Sequence, residues 1–282
     1  MSKVVVTCDS TCDLSPECVK RFGIKVVPLY VRLGEEEHRD GVDINNEQLF
    51  AYVEKTGQLP KTAACSVEDY SEYWRPNVQK GCEVVHINIS SEMSICYQNA
   101  CTAAELLGNC YVIDSRNLSS GSGLLALDAA ELAAEGKSGR EIKEILDVKK
   151  NRLNVSFVLD TMEYLAKGGR CSSMTALAAG LLKLRLGIEV KDGKMGVGKK
   201  YRGKLGPVLV QYVHDRLRNV AKVEEKRIFI TYPNMDDEIV EEVKRAILED
   251  KPFNEILTSN AGCTVSSHCG PKCLGILFYE AE

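Results

Sequence analysis

Short apolar runs alternate with amphipathic stretches throughout the first half of the chain. Four of the runs predict strands: KVVVT, IKVVPLYVRL, CEVVHINIS and CYVIDS. The stretches between and after them predict helices, with a cap at Ser15 before Pro16, a capping box at Ser66 and a stop at Gly57. Strands and helices of these lengths in alternation are typical of βαβ units, so we expect a parallel sheet covered by helices.

The pattern changes near residue 154. VSFVLDT, RIFITYP, FNEILTSN and LGILFYE predict strands, while ALAAGLLKLRLG (176–187), PVLVQYVHDRLRNVAK and MDDEIVEEVKRAILED predict helices. Asp192-Gly193 lies between two polar-apolar runs, which indicates a β-hairpin. We therefore predict an α/β domain with a parallel sheet over residues 1–153 and an α+β domain with a mixed sheet over residues 154–282, with a cleft between them.

Charge and hydropathy narrow the class of protein. The formal net charge is −4, whereas a nucleic-acid binder usually carries a basic surplus, so no nucleic-acid partner is expected. The start, MSKVVVTCDS, does not resemble a signal peptide. Lys183 and Arg185 interrupt the most apolar window, which is too short to span a bilayer. We expect a cytoplasmic protein without stable membrane insertion, in which most of the 12 cysteines are reduced packing residues.

Hydroxyl groups cluster where predicted strands end. Ser90, Ser91 and Ser94 lie between a strand and a helix, and Asp114-Ser115-Arg116 follows the next strand. In an open parallel sheet, ligands bind at the carboxyl ends of the strands, and a helix start favours anions. The pattern is compatible with a seat for a carboxylate or phosphate, and equally with ordinary helix capping and a solvated loop.

His268 stands among Cys263, Cys269 and Cys273, and the residues alone leave its role open. A metal site is one alternative, although no second Cys/His pair of fitting spacing lies nearby. A serine hydrolase using Ser122 and His268 is another, although the full nucleophile-elbow motif is missing. The glycine-rich GKMGVG segment sits at a predicted hairpin rather than between a strand and a helix, so it is a weak candidate for a phosphate loop.

Seven motifs in order resemble the DegV family, the fatty-acid-binding subunits of bacterial fatty acid kinase. They are VVTCDSTCDLS, RDGVDI, KTAACS, SSEMSICYQNA, VIDSRNLSSGSG, YLAKGGRCS and SSHCGPKCLGILF. The resemblance covers nearly the whole chain. It implies a two-domain α/β protein with a long-chain fatty acid in an interior tunnel and its carboxylate at the domain interface.

The resemblance also implies roles for individual residues. The family's carboxylate-binding positions correspond to Thr62, Ser94 and His268. Further contacts to the head group or to a partner correspond to Ser91, Arg170 and Arg202. The family's known role is to present the fatty acid to a separate ATP-dependent kinase, whose acyl phosphate product feeds phospholipid synthesis. No catalytic residue, cofactor or metal is therefore expected in this chain. A Cys/His metal or redox sensor and a serine hydrolase acting on acyl esters are the alternatives.

The chain departs from the family pattern beside each expected contact. The family usually has T-S-Q-P-S, S-G-T-Y and H-x-G-P-G, where this chain has TAACS from Thr62, SICY from Ser94 and HCGPK from His268. Cys65, Cys96 and Cys269 thus flank the three contacts, and we expect them to meet around one head-group site. Loss of the glycine after Ser94 is expected to narrow the site or alter the preferred chain length.

Overall fold

The computed structural model describes residues 3–171 and 184–282. Within these residues the strands are, in chain order, β1 (Val4–Asp9), β2 (Lys25–Val27), β3 (Tyr30–Leu33), β4 (Glu36–Arg39), β5 (Lys61–Ala63), β6 (Glu83–Asn88), β7 (Cys110–Asp114), β8 (Leu153–Leu159), β9 (Arg185–Lys191), β10 (Lys194–Tyr201), β11 (Val223–Tyr232), β12 (Ile256–Asn260) and β13 (Cys273–Glu280). The helices are α1 (Pro16–Phe22), α2 (Asn46–Thr56), α3 (Val67–Val78), α4 (Cys96–Leu107), α5 (Ser119–Ala134), α6 (Gly139–Lys149), α7 (Glu163–Gly168), α8 (Leu205–Arg218), α9 (Asp237–Asp250) and α10 (Cys263–Cys269).

The strands form three sheets. The first is parallel, in the order β2-β1-β6-β7, and the second is mixed, in the order β10-β9-β8-β13-β11-β12. In the second sheet only β11 and β12 pair in parallel. A small antiparallel sheet, β4-β3-β5, was not predicted. The predicted fold class, an α/β fold with one parallel and one mixed sheet, is confirmed.

Local signals placed many of the helix ends correctly. The Ser15 hydroxyl accepts a hydrogen bond from the Cys18 amide at the start of α1, and Ser66 forms a capping box with Asp69 at the start of α3. Helix α2 ends at Gly57, which adopts a left-handed conformation that glycine reaches without steric cost. These features depend on contacts within one turn, which is why the sequence alone could predict them.

Helix α5 is a buried layer between the two large sheets. Its residues from Ser119 to Ala129 are all buried, and it contacts β1 and β6 of the parallel sheet as well as β8, β11 and β13 of the mixed sheet. A helix that is apolar on all sides is expected in such a position. One hydrophobic cluster therefore runs from Val85 and Ile87 through Leu124 and Leu125 to Phe157.

Two predictions about elements were wrong in part. IKVVPLYVRL is not one strand, because Pro28 cannot donate a backbone hydrogen bond: β2 pairs in the parallel sheet and β3 in the small sheet. Of the helix predicted over 176–187, residues 176–183 lie outside the described residues, and residues 185–187 belong to β9. The domain boundary at residue 153 stays a prediction. None of the helices in the described ranges is long and apolar enough to cross a membrane.

Candidate functional site

A cavity of about 470 Å³ lies where the parallel sheet meets α10. Thr11, Ile89 and Leu118 line it and follow the carboxyl ends of β1, β6 and β7. This is the edge at which ligands bind in open parallel sheets. The remaining lining residues are Leu29, Thr62, Ala63, Ala64, Met93, Ser94, Ile95, Arg170, Met195, Thr264, Val265, His268 and Cys269. An apolar wall with a few polar groups is typical of a small-molecule site.

Helix α10 is held in place by two buried carboxyl groups at its first turn. Asp13 accepts a hydrogen bond from the Gly262 amide at 2.7 Å, and Asp40 accepts from the amides of Cys263 at 2.7 Å and Thr264 at 3.2 Å. These bonds satisfy amides that have no partner within the helix. The motifs VVTCDSTCDLS and RDGVDI therefore meet at one helix end, a contact that no short-range sequence pattern predicts.

Asp9, the first acidic residue of the same motif, orders another part of the wall. Its buried carboxylate accepts from the Tyr70 hydroxyl at 2.8 Å, the Asn88 side-chain amide at 3.0 Å and the Ile89 backbone amide at 3.0 Å. Ile89 faces the cavity. Asp9 thus fixes the loop after β6, from which Met93 and Ser94 also reach the cavity.

His268 and Thr62 come together as the resemblance implied. Thr62 Oγ1 lies 2.9 Å from His268 Nε2. Burial, and secondarily the charge of Arg170, lowers the pKa of His268 to about 4. The imidazole is therefore neutral near pH 7, with Nε2 directed at the threonine hydroxyl. Its Nδ1 atom is buried and has no hydrogen-bond partner among the described residues.

Gly168 at the end of α7 permits this position of the histidine. A Cβ atom at residue 168 would lie 2.3 Å from His268 Nδ1. Side chains do not tolerate such an approach, so any larger residue would displace the imidazole. The glycine of YLAKGGRCS is thus explained by close packing of α7 against α10, and not only by the end of a helix.

We expect Gly168→Ala to lower the free energy of unfolding by about 1–3 kcal/mol, because the new methyl group overpacks the contact with His268. Urea titration would measure the change. Gly196→Ala is the matched control, since no atom of the described residues lies within 4 Å of a Cβ at that position. Equal stabilities for the two variants would show that the contact with His268 is easily relieved.

The three serines after β6 have different surroundings. Ser94 lines the cavity, and its hydroxyl accepts from the Cys96 amide at 3.2 Å and donates to Cys96 Sγ at 3.1 Å. The Ser91 hydroxyl instead donates to Asp114 at 2.6 Å, and Ser90 donates to the Gly193 carbonyl at 2.7 Å. Only Ser94 of this group is placed to contact a ligand in the cavity.

The two predicted arginines also differ. Arg170 is exposed, lines the cavity and donates to the Gly168 carbonyl at 2.8 Å. Arg202 is exposed and does not belong to the cavity wall. Arg170 therefore brings a positive charge to the solvent-facing side of the cavity, where Ile95 is also exposed.

The cysteines do not all meet at one site. Cys269 lines the cavity, whereas Cys65 and Cys96 belong to the separate hydrophobic cluster beside α3 and α4. Burial raises the pKa of Cys96 to about 11 and raises that of Cys65 further. Within the described part of the chain, no group of three or more His, Cys, Asp or Glu residues is arranged to hold a metal.

The surroundings of Ser122 and of the glycine-rich segment differ from those of a hydrolase nucleophile and of a phosphate-binding loop. The Ser122 hydroxyl donates to Ser115 Oγ at 2.8 Å, while His268 Nε2 lies against Thr62. The segment from Gly193 to Gly198 lies in the antiparallel β9–β10 hairpin predicted from Asp192-Gly193. Its Met195 contributes to the cavity wall.

Comparison with known proteins points to one family. Residues 3–281 match the family model described as "Uncharacterised protein, DegV family". A DegV domain-containing protein of Clostridium acetobutylicum is 33% identical over 284 residues, which cover 99% of each chain.

Solved structures resemble the chain over its whole length. One of them is a fatty-acid-binding DegV family protein from Thermus thermophilus. It superposes with a TM-score of 0.88 at 28% identity, covering 99% of this chain and 100% of the other. A stearic-acid-binding protein from Eubacterium ventriosum gives a TM-score of 0.85 at 27% identity, with 99% of both chains covered.

Proposed function

The chain belongs to the DegV family, and on that premise we propose that it binds a long-chain fatty acid in the cavity beside α10. The observation that carries the proposal is the composition of the cavity wall. Apolar side chains form most of it, and its polar part consists of Thr11, Thr62, Ser94, Arg170, Thr264 and His268. The fatty-acid-binding proteins that superpose on the chain support the same ligand class.

Burial of the acyl chain supplies most of the affinity in this proposal. Roughly fifteen buried carbons contribute about 0.8 kcal/mol each, or about 12 kcal/mol before the costs of immobilisation are subtracted. The carboxylate adds little net affinity, but leaving it without partners in the cavity would cost several kcal/mol. The polar part of the wall has to offset that cost.

Thr62 and Ser94 are the proposed donors to the carboxylate, with His268 acting through Thr62. On ligand binding, the Ser94 hydroxyl would turn from Cys96 Sγ, a weak acceptor, to the carboxylate. If the neutral imidazole carries its proton on Nε2, that N–H group donates a hydrogen bond to Thr62 Oγ1, and the threonine hydroxyl can donate its own proton to the ligand. The unpartnered Nδ1 is then a bare acceptor and not a buried N–H group. Arg170 supplies the positive charge that a neutral histidine cannot supply. Ser91 and Arg202 have no place in this head-group site.

We further propose that the chain presents the bound fatty acid to a separate ATP-dependent kinase and is not itself an enzyme. The exposure of Arg170 supports this, because one charged residue of the cavity wall is then at the surface, within reach of a partner. The acyl phosphate so formed would serve phospholipid synthesis.

Native mass spectrometry of the freshly purified protein tests the proposal. We expect one fatty acid per chain, identified after solvent extraction, and no change in its mass on addition of ATP alone. A lipid-free protein that also fails to take up added fatty acid would refute fatty-acid binding. Conversion of the bound lipid by ATP alone would refute the passive role. Stoichiometric zinc would favour the Cys/His alternative.

A further inference from the structure

A second, much smaller void lies behind the apolar wall of the cavity. Its volume is about 20 Å³, which is room for about one water-sized group. The two voids share three wall residues, Leu118, Val265 and Cys269. We call these three side chains the partition, because they separate the cavity from the void.

The partition marks the inner side of the cavity. Leu118, Val265 and Cys269 are each at most 7% exposed, whereas Ile95, which also lines the cavity, is 62% exposed. Val265 and Cys269 are four residues apart on α10, so they project from the same face of the helix. A chain that enters beside Ile95 and Arg170 and runs inward therefore meets the partition.

The void behind the partition is suited to an apolar group. Its walls include Val155, Phe157 and Leu277 of the mixed sheet. Hydroxyl groups there are already paired: Ser119 donates to Asp13, and Ser156 bonds to Tyr212. No free polar group of the described wall thus calls for a polar ligand atom.

We propose that the partition sets the length of the acyl chain that this protein accepts. Leu118, Val265 and Cys269 would form the stop for the terminal methyl group, and the void behind them is space that a smaller side chain would open. The inference rests on the proposed binding of fatty acids. Beyond that binding, the partition would discriminate among fatty acids that differ only in length.

Competition binding with straight-chain saturated fatty acids that differ by two carbons tests the inference. Wild-type protein is expected to show a sharp fall in affinity beyond one chain length. Leu118→Ala and Val265→Ala should move that limit to longer chains, with a gain of about fourfold for each additional buried methylene. Cys269→Leu should move it to shorter chains.

Leu29→Ala is the matched control. Leu29 lines the cavity but not the void, so its truncation removes the same atoms as Leu118→Ala without opening the partition. We expect it to weaken binding of all chain lengths alike. Val265→Ala removes fewer atoms and keeps the test valid if Leu118→Ala does not fold.

The outcomes separate this inference from the proposed function. A wild-type protein that binds no fatty acid refutes both. Binding with an unchanged length limit in folded Val265→Ala and Cys269→Leu refutes the partition alone. An equal shift in Leu29→Ala would also refute it, because the limit would then depend on total cavity volume.

Discussion

Replacing Thr62 with valine and Ser94 with alanine in one variant is expected to weaken fatty-acid binding by about two to four orders of magnitude. A hydrogen bond to a charged group contributes about 1.5–3 kcal/mol, and the variant loses two proposed donors while the carboxylate stays desolvated. Valine has nearly the shape of threonine, so the cavity keeps its size. Displacement of a fluorescent fatty acid would measure the dissociation constants.

Two controls make this result specific to the carboxylate. The methyl ester of the same fatty acid should bind the variant and the wild type with similar affinity, because it has no charge to stabilise. Ser91→Ala should bind fatty acid normally, since the Ser91 hydroxyl is engaged with Asp114 outside the cavity. Equal weakening of acid and ester would mean that the substitutions disturb the cavity rather than the head-group contacts.

Asp13 is expected to make the protein less stable as the pH rises from about 4 to 8. Burial raises the pKa of this carboxyl from 3.8 to about 8, against the hydrogen bonds from Ser119 and Gly262, and the charge of Asp40 raises it further. The folded state therefore holds a proton that the unfolded chain releases. The loss is on the order of 5 kcal/mol across this range, at about 1.4 kcal/mol per pH unit.

Asp13→Asn isolates the contribution of Asp13 to the pH dependence of stability, because the asparagine amide resembles the protonated carboxyl group. Denaturant titrations across the pH range should show similar stabilities near pH 4 and a more stable variant near pH 8. Asp147→Asn is a control for which the pH dependence of stability has the opposite sign. Partial burial raises the pKa of Asp147, but the hydrogen bonds and ion pairs with Lys143 and Lys150 lower it overall. Parallel curves for wild type and Asp13→Asn would show that Asp13 is ionised in the folded protein.

Much of the fold could be predicted because its signals are local. The capping box at Ser66, the stop at Gly57 and the hairpin at Asp192-Gly193 each depend on residues within a few positions of one another. The helix α10 could not be predicted in this way. It has seven residues and no side-chain cap of its own, and its first amides are satisfied by Asp13 and Asp40, more than 200 positions away in sequence.

The candidate site was predictable in part for a different reason. Family resemblance identified Thr62, Ser94 and His268, and the structure places all three on one cavity wall. Their grouping depends on tertiary contacts, such as Gly168 against His268, which leave no pattern at short range. Ser91 resembles Ser94 in sequence, and only the position of Asp114 shows that its hydroxyl is already used.

The position of β13 has a consequence for how the protein is made. This strand, at residues 273–280, lies in the middle of the mixed sheet between β8 and β11. During synthesis, β8 can pair with β9, but its other edge stays unpaired until more than a hundred further residues have been added and β13 is available. The mixed sheet, and with it the wall that α10 forms, is therefore completed only after β13 has been synthesised. Nascent chains that lack β13 would expose apolar strand surface, and we expect chaperones and proteases to bind them.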